Sequence, residues 1–115
     1  MVRHWFAIDV NGIAYQVVLC DKDAPVLAGG EGMTDYSESI IWLQESTNKA
    51  RLRDALVHEI LHACFEASGA SYLLASHLRK RARAEPNEVE EQLIRALAPS
   101  LITALRSARL LGNLP

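Results

Sequence analysis

The segment RDALVHEILHACFEASG, residues 53–69, constrains this chain more than any other. Apolar residues recur there at helical spacing, with Leu52, Leu56, Ile60, Ala63, Cys64 and Ala67 on one arc. Ser46, Thr47 or Asn48 can cap the start of the helix, and Gly69 stands where it can end. Into this helix the sequence inserts His58 and His62, four residues apart and on the side away from the main arc, beside Ala55 and Phe65. Glu59 follows the first histidine directly.

That spacing has a chemical reading. Residues i and i+4 lie about 5–6 Å apart at Cβ, and two imidazoles there can share one tetrahedral Zn²⁺ at about 2.0–2.1 Å. The residue after the first histidine is turned by about 100°. Glu59 is therefore badly placed as a third ligand but can reach a water on the metal. Such a water, its pKa lowered to near 7, needs a base. His-Glu-x-x-His thus gives each residue a separate task. A chain of this composition would produce only about 0.01 such matches by chance.

Zinc needs a third protein ligand, and catalysis needs a fourth position left open. The metzincin extension requires glycine at 65 and histidine at 68; Phe65 and Ser68 exclude it. Glu66 lies about 12 Å along the axis from His58, so it reads as an exposed or outer carboxylate. His77, Glu90 and Glu91 remain. Glu90 has a structural role available as capping-box partner of Asn87, just after Pro86, although the helical wheel turns it toward the apolar arc. Glu91 sits at the edge of that arc beside Ile94 and Ala98. Periodicity leaves the three open.

The rest of the chain supplies the frame. HWFAIDV and IAYQVVL are β-branched and aromatic runs joined by Asn11-Gly12, a hairpin signal. Residues 21–37, with Pro25 and several glycines, read mainly as loop, tacked to the core by Val26 and Leu27. SIIWLQ, residues 39–44, reads as a third strand. After the histidine helix, SYLLASHLRKRAR reads as a second helix and PNEVEEQLIRALAPSLITALRSARLL as a last one that Pro99 should kink or divide. Strands first and helices after them predict one α+β domain spanning 1–115, with about three antiparallel strands packed on the active-site helix and a C-terminal helix.

Composition narrows the setting. A net charge of −2 argues against general polyanion binding, and no apolar run approaches a membrane span. MVRHWFAIDV is too short in its apolar part for a secretory signal. Cys20 and Cys64 lack metal or redox spacing and read as reduced, buried thiols of a cytoplasmic protein. Arg79, Lys80, Arg81 and Arg83 form a basic run that reads as a solvated helix end, with nucleic-acid contact as the minority reading.

HEILHACFEASG followed by EQLIRALAPSL resembles the small zinc metallopeptidases of the ImmA/IrrE type and the phage-encoded minimal gluzincins. In that group the third-ligand glutamate opens a helix of the form E-x-x-A-x-x-F-A-x-x-L; Glu91, Ile94, Leu97, Ala98 and Leu101 fall at those spacings. GMTDYSESIIWL is similar to the glycine-aspartate turn and strand ahead of the active helix. The likeness runs from about residue 5 to 105, and only His-Glu-x-x-His is specific. It implies a minimal gluzincin-like fold, Glu91 as third ligand and, for a phage-encoded member, the host cytoplasm. Gluzincins such as thermolysin carry a second acid four residues after the ligand glutamate, where this chain has Arg95; Asp54 is a substitute candidate for orienting the rings. Tyr36, Tyr72 and His77 are candidates for stabilising an oxyanion. SprT-like proteases, which use a third histidine and act on DNA-bound proteins, keep His77 in view.

The expectation is a zinc metallopeptidase acting on peptide or protein substrates, with Zn²⁺ on His58, His62 and Glu91 and with Glu59 as general base. The strand at Ile40–Leu43 is expected to pair with an extended substrate. The alternative is a non-enzymatic interaction or assembly protein around a structural zinc. Nothing in the pattern sets the oligomeric state.

Overall fold

The computed structural model describes residues 1–81 and 85–108, with side chains throughout except at 79–81. Strand β1 (Val2–Val10) turns at Asn11-Gly12 into β2 (Ile13–Cys20). Both turn residues have positive φ, 52° and 86°, the pairing that a tight two-residue hairpin requires. Asp9 Oδ1 accepts the Gly12 N–H at 2.8 Å and closes the turn. A register shift between His4 and Phe6 breaks the alternation, so the adjacent Trp5 and Phe6 both pack on the core.

Two further strands follow, β3 (Gly32–Asp35) and β4 (Ile40–Gln44). The sheet order is β1-β2-β4-β3, with β2 and β4 parallel and the other pairs antiparallel. The fold is α+β as expected, but the sheet has four strands and is mixed. β3 falls inside the segment read as loop, where Leu27 is buried as anticipated. β4 is paired on both edges, so Ile40–Leu43 cannot accept a substrate strand; the edge beside the histidine helix is β3.

Helix α1 (Lys49–Ala67) starts at Asn48, whose Oδ1 accepts the Arg51 N–H at 3.2 Å, and is followed by Gly69 at φ 80°. It buries two faces. Leu52, Leu56 and Ala63 join Tyr15, Val17, Leu19, Ile41 and Leu43 under the sheet. Val57 packs on the last helix, α3 (Pro86–Ser107), against Ala98 and Ile102. Cys20 is buried, but Cys64 is exposed, because it borders an open groove beside Ile8 and Val10.

Helix α2 (Ala70–Arg81) connects these elements. Arg83 and the side chains of Arg79, Lys80 and Arg81 lie outside the described residues. In α3 Pro86 is the first helical residue and Glu85, not Asn87, occupies the cap position without a side-chain bond. Proline's fixed φ suits that first position, where its missing N–H costs nothing. The capping box on Asn87 and Glu90 does not form. Pro99 sits inside α3 without dividing it. Among the described residues no helix is long and apolar enough to cross a membrane.

Candidate metal centre

Helix α1 turns His58, Glu59 and His62 toward a cleft of about 280 Å³. Gly32, Met33, Thr34 and Tyr36 form its opposite wall, and Glu91 closes it from α3. The two imidazoles stand edge to face, their centroids 5.1 Å apart. Each directs Nε2 at the same carboxylate: His58 Nε2 lies 2.8 Å from Glu91 Oε1, and His62 Nε2 lies 2.7 Å from Glu91 Oε2. The donor atoms of His58, His62 and Glu91 lie within 4.8 Å of one another. This group could hold a metal ion.

Two nitrogens and one carboxylate oxygen match the donor chemistry of a three-ligand metal site that keeps an open position. The rest of the first histidine pair's surroundings favours that use. Glu90 Oε2 binds His62 Nδ1 at 2.8 Å. With Nδ1–H donating there, the lone pair of Nε2 faces the centre, the usual orientation of a metal-binding histidine. Glu90 Oε1 in turn accepts the Ser71 hydroxyl from α2. Glu90 is buried, so these two partners satisfy a carboxylate that water cannot reach. Its role as a capping residue is thereby replaced by one at the site. Asp54 is exposed and, among the described residues, bonds to neither ring.

Glu59 lies beside this group and is itself buried at 7% exposure. Its Oε2 is 4.0 Å from His58 Nε2. The Thr34 hydroxyl sits 2.9 Å from Glu59 Oε1 and 3.0 Å from the Glu59 carbonyl, with one proton to give. Burial pushes the Glu59 carboxyl above its ordinary value, against the opposing pull of Thr34 and the two histidines. Burial also raises Glu91, but His58, His62 and Arg95 together outweigh it and hold that carboxyl low. Arg95 Nε donates to Glu91 Oε1 at 3.2 Å. One carboxyl is held ready for protons and the other kept charged.

Close approach makes β3 specific at one point. A Cβ at Gly32 would stand 2.9 Å from Glu59 Cγ and 3.1 Å from Leu43 Cδ2. Only glycine leaves the Glu59 side chain in its present position. Tyr36 lines the cleft; burial and the neighbouring carboxylates Glu90, Glu66 and Glu59 push its phenol up, so the hydroxyl keeps its proton. Tyr72 is 70% exposed, and His77 is exposed on α2, outside the metal-binding group.

The structure thus brings together His58, Glu59, His62 and Glu91 and leaves His77 and Asp54 aside. Sequence reasoning missed Thr34, Ser71 and Gly32, and it gave Glu90 another task. The GMTD segment was the available signal for Gly32 and Thr34; nothing in the pattern pointed to Ser71. Comparison with protein-family models, curated proteins and solved structures returns no match.

Proposed function

We propose that this chain is a zinc-dependent metallopeptidase of minimal size. The observation that carries the reading is the convergence of both histidine Nε2 atoms on the two Glu91 oxygens at the floor of an open cleft, with Glu59 alongside. Zn²⁺ held by His58, His62 and Glu91 would polarise a substrate carbonyl and acidify a water. Glu59 takes the proton of the attacking water and returns it to the leaving amine, a task suited to a carboxyl whose proton affinity burial has raised. Thr34 fixes the rotamer from which Glu59 does so. Tyr36, a protonated donor on the opposite wall, is the best placed of the oxyanion candidates.

The substrate has a track. Gln44 N donates to Glu31 O at 2.8 Å, and bonded pairs alternate along an antiparallel ladder. With Gly32 opposite Leu43 and Met33 opposite Trp42, the backbone groups of Gly32 and Thr34 face the open edge of β3. An extended peptide can add there as a strand, which brings its carbonyls past Glu59. A closed structural zinc needs four protein ligands, whereas the group among the described residues has three.

Metal analysis of protein purified without added metal tests the reading, with about one zinc per chain expected. A ratio near zero that stays there after zinc titration overturns it. So does iron in place of zinc, since two histidines and a carboxylate also suit Fe²⁺. Hydrolysis of a mixed peptide pool by the zinc-loaded protein, abolished by a chelator, is the functional counterpart.

A further inference from the structure

Ser71 directs its hydroxyl away from its own helix. It is the second residue of α2, and a serine at the start of a helix ordinarily bonds nearby backbone. Ser68 shows that ordinary use: its hydroxyl donates to Phe65 O at 3.4 Å and accepts the Ala70 N–H at 3.3 Å. Ser71 donates instead to Glu90 Oε1, 19 residues further along the chain and on α3. The corner between α1 and α2 brings it there. Gly69 turns the chain at φ 80°, and the Asn11 side chain donates to Ala67 O at 3.0 Å, tying the end of α1 to the hairpin.

What that bond does follows from the freedom of a glutamate side chain. Its last torsion is broad, so a partner on one oxygen alone leaves the carboxylate plane able to turn. Glu90 has a partner on each oxygen, His62 Nδ1 on Oε2 at 2.8 Å and the Ser71 hydroxyl on Oε1. Attachment at two points fixes the plane, and the fixed plane holds the His62 ring. Glu90 is buried, and among the described residues Oε1 has no other donor. Without the Ser71 hydroxyl that oxygen stands unpaired away from water, which is costly, and turning the carboxylate away from His62 relieves it.

We infer that Ser71 is a positioning residue of the metal centre, acting through Glu90 to hold His62 with Nε2 aimed at the site. The inference rests on the metallopeptidase reading for the identity of the metal. Helix α2 contributes no member of the metal-binding group among the described residues, yet it takes part in the centre. Each of the three helices then supplies one link of the chain from His62 on α1 through Glu90 on α3 to Ser71 on α2.

Zinc affinity of the whole protein, measured by competition against a chromogenic chelator, is the test. Ser71→Ala removes the hydroxyl, and alanine suits a helix at least as well as serine, so the variant is expected to fold. Its affinity should fall by about threefold to tenfold, short of the about 10–100-fold that follows loss of a direct partner of a ligating histidine. Ser71→Thr keeps the hydroxyl and should bind zinc as the parent does. Ser68→Ala loosens the same corner without touching Glu90 and should also keep parental affinity. In a Glu90→Ala background, Ser71→Ala should cost nothing further, because the carboxylate it acts through is gone. Parental affinity in Ser71→Ala overturns the inference. So does an equal loss in Ser71→Thr or Ser68→Ala, or a full second loss in the double variant. A parent that binds zinc but hydrolyses no peptide removes the peptidase reading and leaves Ser71 in its role, whereas a parent that binds no zinc removes both.

Discussion

Glu90 Oε2 holds Nδ1 of His62 at 2.8 Å while the next residue, Glu91, faces Nε2 of the same ring at 2.7 Å. Two adjacent carboxylates on α3 therefore address one imidazole from its two ends. Consecutive residues diverge by about 100° around a helix, which is enough to place one carboxylate behind the ring and the other in front. In this arrangement Glu90 orients the ring, and Glu91 completes the group that could hold a metal ion.

The division of labour predicts how Glu90→Gln behaves. Loss of the carboxylate behind His62 frees the ring to choose its tautomer and orientation, and metal affinity should fall by about 10–100-fold. Competition against a chromogenic chelator measures it. Full affinity in this variant would mean the Glu90 contact does nothing for the metal.

Replacing the carboxylate in front should cost more. Glu91→Ala leaves two imidazoles, and its loss of affinity should exceed that of Glu90→Gln. His77→Ala should bind zinc as the parent does, since His77 is outside the group. Zinc loss in His77→Ala with retention in Glu91→Ala would assign the chain to the three-histidine class.

On the metallopeptidase reading, chemistry and metal binding separate at Glu59. Glu59→Gln keeps the size of the side chain and the Thr34 contact while removing the base. Peptide hydrolysis should drop by about 10²–10⁴-fold with zinc content unchanged. A variant that cleaves at the parental rate removes Glu59 from the mechanism.

How much of this was legible in the chain differs by element. Helix α1 was clear because Asn48, the apolar arc, the histidine pair and Gly69 all agree with one helical register. The hairpin was clear because Asn11-Gly12 is a strong turn signal. β3 was not: it has four residues, a glycine and one large apolar side chain, and its extended form comes from the ladder to β4, which no local pattern reports. The second buried face of α1, at Val57, was hidden because only α3 covers it. Glu90 was misread because its spacing from Asn87 matches a capping box that Pro86, one position earlier, had already displaced. Its true partners, His62 and Ser71, lie 28 and 19 residues away, and periodicity carries no information at that range.

Gly32 offers the most specific test of the site's geometry, because the residue touches neither metal nor solvent chemistry through a side chain of its own. Its backbone passes so close to α1 that an added methyl would overlap Glu59 Cγ at 2.9 Å and press Leu43 at 3.1 Å. Leu43 is fully buried and packed among core residues, so the strain must be relieved mainly by Glu59 or by β3 itself. Either movement stretches the Thr34–Glu59 contact of 2.9 Å and shifts the base relative to the substrate edge. A displacement of about 1 Å at a reacting group can cost about 10²-fold in rate. Gly32→Ala is thus expected to keep parental zinc content, because the atoms nearest the new methyl belong to Glu59 and Leu43 rather than to His58, His62 or Glu91, while kcat falls by about that factor. Gly32→Ser should do no better, since its Cβ meets the same atoms. Paired metal analysis and steady-state kinetics on the two variants check this. Parental kcat in Gly32→Ala would mean that Glu59 has room to spare and that β3 does not set its position.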